Sequence, residues 1–355
     1  MTDILHIGVS DRMLDPFVNF VNSNFEPSQH EFLLLSEREN NDIAVNSNVR
    51  LNKRSILGNI RYFFLSIIKM NKAKKIVLHG LFDINLVVIL FFMPWLSKKC
   101  YWFVWGSDLY VYQVGERNWK WNIKELFRRP VIKNIGNIVT YIKGDYELAR
   151  KWYRVKGRYH ECFMYPSNLY KDFDVPEKQH SCKNVLVGNS ADPCNNHLEV
   201  FVKLDMIKNK DIKIYVPLSY GNQEYARKVI EEGMKRFGSK FVPLTEVMPY
   251  YEYLRFLGSI DIAIFNHKRQ QAMGNTISLL GLGKKIYMRS DVTQWEFLKD
   301  QGIMIYDIFD LEVTCDFVKE VESMDKNKKI VREYFSIEKY RKDLEKIFLF
   351  NTSVP

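Results

Sequence analysis

Short apolar and β-branched runs alternate with helical patterns along almost the whole chain, and this alternation constrains the fold most. The runs predict strands, and the apolar spacing between most of them predicts helices. Strands that alternate with helices predict parallel sheets with right-handed crossover connections, which is an α/β fold. The predicted strands are Ile4–Ile7, Phe32–Leu35, Ile76–His79, Trp102–Trp105, Ile138–Thr140, Val185–Val187, Ile212–Val216, Lys240–Val242, Ile260–Phe265, Lys285–Met288 and Ile303–Tyr306.

The chain has 355 residues, which exceeds what one hydrophobic core usually serves, so two domains are expected. The segment Ser167–Lys183 is polar and contains a proline, which predicts a linker. We therefore expect two Rossmann-like domains, residues 1–172 and residues 173–355, facing each other across a cleft suited to a two-substrate site. The last helix could pack back on the first domain.

The five cysteines are scattered and show neither a Cys-x-x-Cys pair nor a Cys/His cluster. An odd number without metal-ligand spacing favours a reducing compartment and argues against a structural zinc site. The N-terminal segment begins like a strand and lacks the basic start of a signal peptide, so a cytoplasmic protein is expected. The cysteines are Cys100, Cys162, Cys182, Cys194 and Cys315.

The net charge of +10 is unevenly distributed along the chain. Residues 1–160 hold 24 Lys and Arg against 14 Asp and Glu, whereas residues 161–355 hold 28 of each class. An excess confined to the N-terminal half suggests an anionic partner there, either nucleic acid or an acidic membrane surface. A solvated lysine-rich surface would give the same composition.

The segment Ile56–Ile68 has one apolar helical face with basic residues at both ends. A helix that lies on a membrane has this pattern, but so does a helix packed on a sheet, and the sequence leaves the two alternatives open. The apolar run Ile84–Leu96 is interrupted by Asn85 and Pro94 and is expected in the core. Neither segment reaches the roughly 20 apolar residues needed to span a bilayer.

Three strand-to-loop junctions in the C-terminal half predict a nucleotide site. After the first strand come Gly188, Asn189 and Ser190, and the second junction carries Lys268 and Arg269 ahead of Gly274-Asn275-Thr276 at a helix start. Free backbone N–H groups and the helix dipole favour a diphosphate at such a turn, although Asn275 or Thr276 could simply cap the helix. The third junction is the loop Tyr215–Gly221.

In the N-terminal half, His79-Gly80 and Trp105-Gly-Ser-Asp108 each end a predicted strand. A carboxylate at Asp108 could take the proton from an acceptor hydroxyl as a bond forms, or it could be a helix cap. His79 could bind a sugar or phosphate, or it could be a satisfied structural residue. Walker and Gly-x-Gly-x-x-Gly motifs are absent from the sequence, which disfavours ATPases, kinases and nicotinamide dehydrogenases.

These residues together resemble the TDP-N-acetylfucosamine:lipid II N-acetylfucosaminyltransferases, glycosyltransferase family 56. The similar segments span about residues 75 to 300. They comprise His79-Gly80 with Phe82, Trp105-Gly-Ser-Asp-Leu-Tyr110, Leu186-Val-Gly-Asn-Ser190 with Asp192, Asn195 and His197, Val216-Pro217 with Tyr220, Arg269-Gln-Gln271 with Gly274 and Thr276, and Trp295.

The resemblance implies a GT-B fold with the nucleotide sugar in the C-terminal domain and the acceptor in the N-terminal domain. The reaction would move a deoxyamino sugar from a dTDP carrier to an undecaprenyl-diphosphate-linked saccharide, in enterobacterial common antigen or O-antigen synthesis. The enzyme would be peripheral at the cytoplasmic face of the bacterial inner membrane, with no cofactor, no metal and no nucleic-acid partner.

The strand-to-loop junctions and the resemblance together suggest roles for particular residues. Asp108 and Arg269 are the catalytic candidates, with Arg269 offsetting charge on the departing diphosphate, and His79, Gly80 and Trp105 are the acceptor candidates. The sugar-donor candidates are Gly188, Asn189, Ser190, Asn195, His197, Tyr220, Gln270, Gln271, Gly274, Asn275 and Thr276.

The chain departs from the family pattern at several of these positions. Ala272 and Met273 stand where the pattern has Gly and Ile, and Asn275 looks inserted before Thr276. Ser107 and Ala191 replace Ala and Gly. A change from Gly to Ala alters the conformations open to the backbone, so the sugar could be a related deoxyhexose.

Two functions of other classes fit the residues as well. The basic half with interleaved Tyr and Trp is compatible with a nucleic-acid-binding protein. The three loops are compatible with a sugar-nucleotide binding module that catalyses nothing.

Overall fold

The computed structural model describes residues 3–36, 43, 46–172, 182–206, 211–311 and 321–349. The chain forms two compact units, Met1–Leu169 with Ile337–Pro355, and Tyr170–Ser336. We call them the N-terminal unit and the C-terminal unit. Among the described residues, no helix combines the length and apolar content needed to cross a bilayer.

The N-terminal unit is built on a seven-stranded sheet whose neighbouring strands are all parallel. The chain order reverses between β1 and β4. In sheet order the strands are β3 (Val49–Lys53), β2 (His30–Ser36), β1 (Ile4–Val9), β4 (Lys75–His79), β5 (Cys100–Phe103), β6 (Asn137–Val139) and β7 (Arg158–His160).

Helices cover this sheet, and the apolar run from Ile84 divides as its Pro94 predicts, into a helix and a 3₁₀ turn, Pro94–Lys99. Side chains of α2, α3 and α5 share one core with β1, β2 and β4. The helices of the unit are α1 (Leu14–Asn24), α2 (Ile56–Lys72), α3 (Ile84–Phe92), α4 (Ser107–Val114), α5 (Trp119–Asn134), α6 (Lys143–Tyr153) and α13 (Ile337–Leu349).

The last helix, α13, returns to the N-terminal unit and is tied there by specific contacts. The Lys75 ammonium donates to the carbonyl of Ile347 at 3.0 Å and to that of Phe348. A cation at a helix C-terminus satisfies carbonyls that have no partner within the helix. The Tyr340 hydroxyl donates to the carbonyl of Met164 at 3.2 Å.

The C-terminal unit has a six-stranded parallel sheet whose chain order reverses between β8 and β11. In sheet order the strands are β10 (Phe241–Leu244), β9 (Ile212–Pro217), β8 (Lys183–Val187), β11 (Ile262–Phe265), β12 (Lys285–Met288) and β13 (Tyr306–Asp307). The helices are α7 (His197–Asp205), α8 (Gln223–Phe237), α9 (Tyr250–Gly258), α10 (Met273–Gly281), α11 (Thr293–Asp300) and α12 (Val321–Tyr334).

Sequence patterns missed two strands and displaced several others; the predicted strand Ile303–Tyr306, for example, is Tyr306–Asp307. Strands β3 and β7 lie at the two edges of the N-terminal sheet and carry exposed polar residues, so they lack the apolar run of a buried parallel strand. The predicted strand Trp102–Trp105 is Cys100–Phe103, and Trp105 already belongs to the loop that follows.

Candidate active site

The C-terminal unit brings two predicted loops together at the point where its strand order reverses. Strands β8 and β11 are hydrogen-bonded neighbours, and Val187 pairs with Ile264 near their carboxyl ends. The loops that follow them therefore leave the sheet side by side. In open α/β sheets, ligands bind at this kind of position.

The β8 loop turns at Gly188, whose φ of 69° is left-handed. A Cβ atom there would lie 2.4 Å from His197 Nε2 and 2.7 Å from Asn195 Oδ1, so only glycine fits. Asn195 is fully buried and accepts from the Asn189 amide at 2.8 Å, while its own side chain donates to the Asp192 carbonyl at 3.0 Å. The loop is thus held closed by its own amide side chain.

Side chains link the β8 loop to the β11 loop. Arg269 donates to the Asp192 carboxylate at 2.8 Å, and His267 Nε2 lies 2.9 Å from Asn195 Oδ1. Gln271 Nε2 donates to Asn189 Oδ1 at 3.1 Å. Burial acts to raise the pKa of Asp192, but the Cys194 amide and the Arg269 guanidinium outweigh it and lower that pKa. The loops at Ser190 and Arg269 therefore form one hydrogen-bonded structure.

The third predicted loop joins the same cluster through Tyr220. Its hydroxyl accepts from Asn189 Nδ2 at 2.9 Å, and its carbonyl accepts from the Ala191 amide at 2.8 Å. The Tyr220 side chain is half-exposed. Its ring is therefore available to a ligand that lies against these loops.

The β11 loop ends at the N-terminus of α10, where Ala272 is the N-cap with φ 57° and ψ 28°. An alanine is thus held in a left-handed conformation that glycine adopts more readily. Gly274 lies in the first turn, whereas Asn275 donates to the Tyr253 hydroxyl at 2.9 Å. Thr276 is fully buried, donates to the Ala272 carbonyl and accepts from Gln294 Nε2 at 3.2 Å, so its side chain stabilises the loop.

Two buried polar atoms in this cluster have no hydrogen-bond partner among the described residues, His197 Nε2 and Gln271 Oε1. Burial lowers the pKa of His197 to about 4 and that of His267 to about 3, so both imidazoles are neutral at pH 7. A buried polar atom without a partner is costly and calls for an explanation. Gln270 is also buried here, and its carbonyl accepts from Arg269.

In the N-terminal unit, Asp108 is buried and its carboxylate accepts three hydrogen bonds. The donors are the Leu81 amide at 3.0 Å, Trp102 Nε1 at 2.7 Å and the Trp105 amide at 3.0 Å. Burial raises the pKa of Asp108, and these donors act against that rise. Gly106, not Asp108, is the N-cap of α4. Asp108 thus positions the loop of Leu81 and the loop of Trp105. Its catalytic role stays a prediction.

Arg128 completes this junction, and no sequence signal pointed to it. Its guanidinium donates to the carbonyls of Leu81 and Asp108, both at 2.7 Å. The side chain reaches from α5 to the loops after β4 and β5, and a contact across such a distance in sequence leaves no local pattern. The loops that hold Gly80 and Trp105 are therefore fixed by a buried carboxylate and a buried guanidinium.

His79 lies in a row of buried hydrogen-bonded side chains that crosses β2, β1 and β4. His6 Nε2 lies 2.9 Å from His30 Nδ1, His6 Nδ1 lies 3.2 Å from His79 Nε2, and the Tyr165 hydroxyl lies 3.4 Å from His79 Nδ1. Burial lowers the pKa of His79 to about 3. Both ring nitrogens of His79 thus have internal partners.

Gly80 and Trp105 form an aromatic corner with Phe82 at the carboxyl ends of β4 and β5. The Phe82 and Trp105 rings meet edge to face at 5.9 Å, and Trp105 also contacts the Tyr165 ring at 4.5 Å. A Cβ atom at Gly80, whose φ is 78°, would lie 2.5 Å from the Phe82 ring. Phe82 is half-exposed, so the corner offers a ring to solvent.

The described residues contain no group of three or more His, Cys, Asp or Glu side chains placed to hold a metal ion. The sequence Asp172-Phe-Asp174 has the Asp-x-Asp form that holds a divalent ion on a nucleotide diphosphate in other enzymes. Asp172 accepts from Arg332 at 3.1 Å and from the Tyr170 hydroxyl at 3.2 Å, and Asp174 lies outside the described residues.

Comparison with known proteins gives the family and the fold. The family model described as 4-alpha-L-fucosyltransferase, glycosyl transferase group 56, matches residues 1–348. A sucrose-phosphate synthase from Thermosynechococcus elongatus is similar in structure, with a TM-score of 0.69, 11% identity and coverage of 98% of each chain.

Two further solved structures are similar over nearly their whole length. WaaG, a glycosyltransferase involved in lipopolysaccharide biosynthesis, gives a TM-score of 0.64 at 10% identity, covering 99% of this chain and 100% of the other. A structure described as trehalose-6-phosphate from E. coli bound with UDP-2-fluoro glucose gives 0.64 at 8% identity, covering 97% and 98%. At these identities the likeness concerns the fold alone, which is GT-B.

Proposed function

The chain belongs to glycosyltransferase family 56, and from that premise we propose that it moves a deoxyamino sugar from a nucleoside diphosphate to a lipid-linked saccharide. The sugar donor is TDP-N-acetylfucosamine or a related dTDP-deoxyhexose. The acceptor is an undecaprenyl-diphosphate-linked saccharide of enterobacterial common antigen or O-antigen synthesis. The enzyme works at the cytoplasmic face of the inner membrane.

One observation carries the assignment of the sugar-donor site. The loops after β8 and β11 are joined at the reversal of strand order, and they present Arg269 beside two buried atoms that have no partner among the described residues. A ligand that hydrogen-bonds His197 Nε2 and Gln271 Oε1 would satisfy both atoms. A nucleotide sugar offers hydroxyl and phosphoryl groups for this purpose.

The diphosphate is proposed to lie between Gly188 and the N-terminus of α10. Gly188 lets the ligand approach the backbone, and Asn189 and Ser190 follow it in the loop. The first turn of α10, with Gly274, directs free N–H groups toward the anion. Arg269 offsets the charge that grows on the departing diphosphate. Arg269 and the helix terminus supply the positive charge in this arrangement.

Other members of the cluster are proposed to act on the base, the sugar or the loops. The half-exposed Tyr220 stacks on the base or contacts the sugar. Gln270 is proposed to bind the base or the sugar as well. Asn195, Asn275 and Thr276 are committed to hydrogen bonds within the C-terminal unit. They shape the site without needing to touch the ligand.

The acceptor is proposed to bind the N-terminal unit at the aromatic corner of Gly80, Phe82 and Trp105. Aromatic rings offer an apolar face to the C–H groups of a saccharide and an indole N–H to its hydroxyls. Asp108, Arg128 and His79 act from behind this corner, since each is buried in internal hydrogen bonds. We propose that Asp108 positions Trp105.

Calorimetric binding of dTDP tests the sugar-donor site. Arg269→Ala should weaken dTDP binding at least tenfold, because a charge-assisted contact to the phosphates is lost. The matched control is Arg236→Ala, since Arg236 forms surface ion pairs with Glu232 and Asp205 in the same unit. Equal dTDP affinity in Arg269→Ala and the parent would overturn the assignment.

The identity of the sugar donor is tested separately. Thermal shifts with a panel of dTDP-, UDP- and GDP-sugars should be largest for the dTDP-deoxyhexoses, because a ligand that binds the native state raises its stability. Transfer to an undecaprenyl-diphosphate-linked saccharide is then measured with the best sugar donor. A larger shift with UDP- or GDP-sugars would contradict the proposed nucleotide.

A further inference from the structure

Helix α2 presents apolar side chains to solvent along its whole length. Ile56 and Leu57 are 82% and 80% exposed, and Ile60, Phe64 and Ile68 are exposed by about half. The spacing of these residues places them along one stripe of the helix. A surface helix normally turns charged and polar side chains outward, so this stripe requires an explanation.

The opposite side of α2 already supplies the contact with the core. Tyr62, Ser66 and Met70 are buried, and Phe63 and Ile67 pack against the core below. The outward stripe therefore does not pack on the sheet, and the alternative that all apolar residues of this segment belong to the core is wrong. The helix is apolar on two sides, and the core covers one of them.

Neighbouring elements of the same layer extend the apolar surface. Phe91 of α3 contacts Phe127 of α5 at 4.9 Å between ring centroids, and Trp95 of the 3₁₀ turn donates to Asn71 of α2 at 3.4 Å. We call the exposed apolar residues of this layer the α2–α5 surface. Its members are Ile56, Leu57, Ile60, Phe64, Ile68, Phe92, Trp95, Trp119, Ile123 and Leu126.

The charges around this surface are mostly positive. Residues 53–129 contain 14 Lys and Arg against four Asp and Glu. Two of the acids, Asp108 and Glu125, and two of the cations, Lys75 and Arg128, are buried and add little to the outer face, which leaves 12 cations against two acids. Lys53 and Arg54 precede α2, Lys72 ends it, and Lys120 and Lys124 alternate with the exposed apolar residues of α5.

We propose that the α2–α5 surface docks on an anionic lipid bilayer. Its apolar stripe would enter the boundary between headgroups and acyl chains, and its Lys and Arg side chains would meet the lipid phosphates. Interfacial helices combine Trp, Phe and Leu with Lys and Arg in this way, and Trp is enriched at the depth of the headgroups. Charge complementarity selects the anionic bilayer as the occupant.

This inference rests on the proposed function in one respect, since the lipid-linked acceptor lies in that bilayer. The surface belongs to the N-terminal unit and the sugar-donor site to the C-terminal unit. Membrane binding and dTDP binding can therefore be measured independently. Failure of either one leaves the other interpretable.

Co-sedimentation of the full chain with liposomes tests the proposal. The parent should bind vesicles of phosphatidylethanolamine and phosphatidylglycerol at least tenfold more tightly than phosphatidylcholine vesicles, and higher salt should weaken that binding. Leu57→Gln with Phe64→Gln should reduce the affinity at least tenfold, because two apolar side chains no longer enter the bilayer. Equal binding of this double variant and the parent would overturn the proposal.

The matched control is Met234→Gln with Ile337→Gln, which replaces exposed apolar residues on α8 and α13. The control should bind vesicles like the parent. Both double variants should keep the dTDP affinity and thermal midpoint of the parent, which shows that they fold. If the α2 variant alone abolished self-association or retention on DNA, while vesicle binding stayed unchanged, the occupant would be a second chain or a nucleic acid and the bilayer would be the wrong partner.

Discussion

At the scale of single residues, the candidate site contains a backbone conformation that its amino acid disfavours. Ala272 has φ 57°, a left-handed conformation that costs an L-residue roughly 1–2 kcal/mol. The strain lies at the N-cap of α10, directly after the loop that carries Arg269. The alanine side chain at this position therefore raises the energy of the loop without removing its left-handed turn.

Ala272→Gly should stabilise the protein by up to about 1 kcal/mol. Relief of the left-handed strain outweighs the extra backbone entropy that glycine adds to the unfolded chain. The measurement is the free energy of unfolding in urea, with Ala226→Gly inside α8 as the control that should destabilise. A lower stability in Ala272→Gly would contradict the strained conformation.

Asp108→Asn separates a positioning role from proton transfer. The asparagine amide keeps one acceptor oxygen, but its N–H₂ group faces donors that the second carboxylate oxygen of Asp108 satisfies in the parent. The loss of these hydrogen bonds should lower the free energy of unfolding by about 1–3 kcal/mol. Turnover should fall together with stability, because the Trp105 loop shifts. Loss of turnover with unchanged stability and a changed pH profile would instead support a catalytic base.

At the scale of elements, the sequence predicts what depends on local pattern and misses what depends on distant partners. The sequence predicts strands β8 and β11 and the polar loops after them, because each apolar run is followed by a polar or glycine residue, Gly188 or Asn266, and a helix follows each loop. The edge strands β3 and β7 have no such run, since solvent covers part of each. The outward stripe of α2 was also undetermined, because helical periodicity cannot say which of two apolar sides meets the sheet.

The links between elements follow the same division. The sequence predicts Arg269 as a site residue from its place before a helix start. Its ion pair with Asp192, 77 residues earlier, could not be predicted, because the two residues are distant in sequence. His267 lies two residues after the end of β11, and this position at a strand end was the signal that could have found it. The row of His6, His30 and His79 joins three strands that are distant in sequence, and only the sheet order brings them together.

This histidine row should make stability depend on pH. Burial lowers the pKa of His30 to about 4 and that of His79 to about 3, and burial with the neighbouring imidazoles holds the pKa of His6 well below its usual value. In the unfolded chain these groups titrate near 6.5. Between pH 6.5 and about 4 the unfolded chain therefore binds more protons, and stability should fall as the pH falls through that window.

Urea unfolding at several pH values checks this expectation. The free energy of unfolding should be nearly constant for these groups above pH 7 and should decline from pH 6.5 toward 4. His30→Gln keeps a polar partner for His6 and removes one titrating ring, so its decline should be shallower. An identical slope in parent and variant would show that His30 does not contribute.

At the scale of the whole molecule, the described histidines share one behaviour. His160, His197 and His267 also have pKa values lowered by burial, to about 4, 4 and 3. Acid should therefore weaken both units, the N-terminal unit through its row and the C-terminal unit through its loop cluster. The seventh histidine, His180, lies outside the described residues.

The two proposed tasks, membrane docking and sugar-donor binding, lie in different units, in line with the charge distribution of the sequence. The surplus positive charge of residues 1–160 accompanies the α2–α5 surface, and the balanced half holds the loops proposed for the nucleotide sugar. The predicted division at residue 172 and the unit boundary at Leu169 differ by three residues. Family membership makes the chain a glycosyltransferase and therefore disfavours the alternative of a sugar-nucleotide binding module that catalyses nothing.

The return of α13 to the first sheet has a consequence for biosynthesis. The N-terminal unit needs residues 337–349, which the ribosome makes only after all of residues 170–336. The C-terminal unit can consequently fold during translation before the N-terminal unit is complete, because the N-terminal unit still lacks α13 at that stage. Lys75 is among the early residues left without its carbonyl partners until Ile347 and Phe348 have been synthesised.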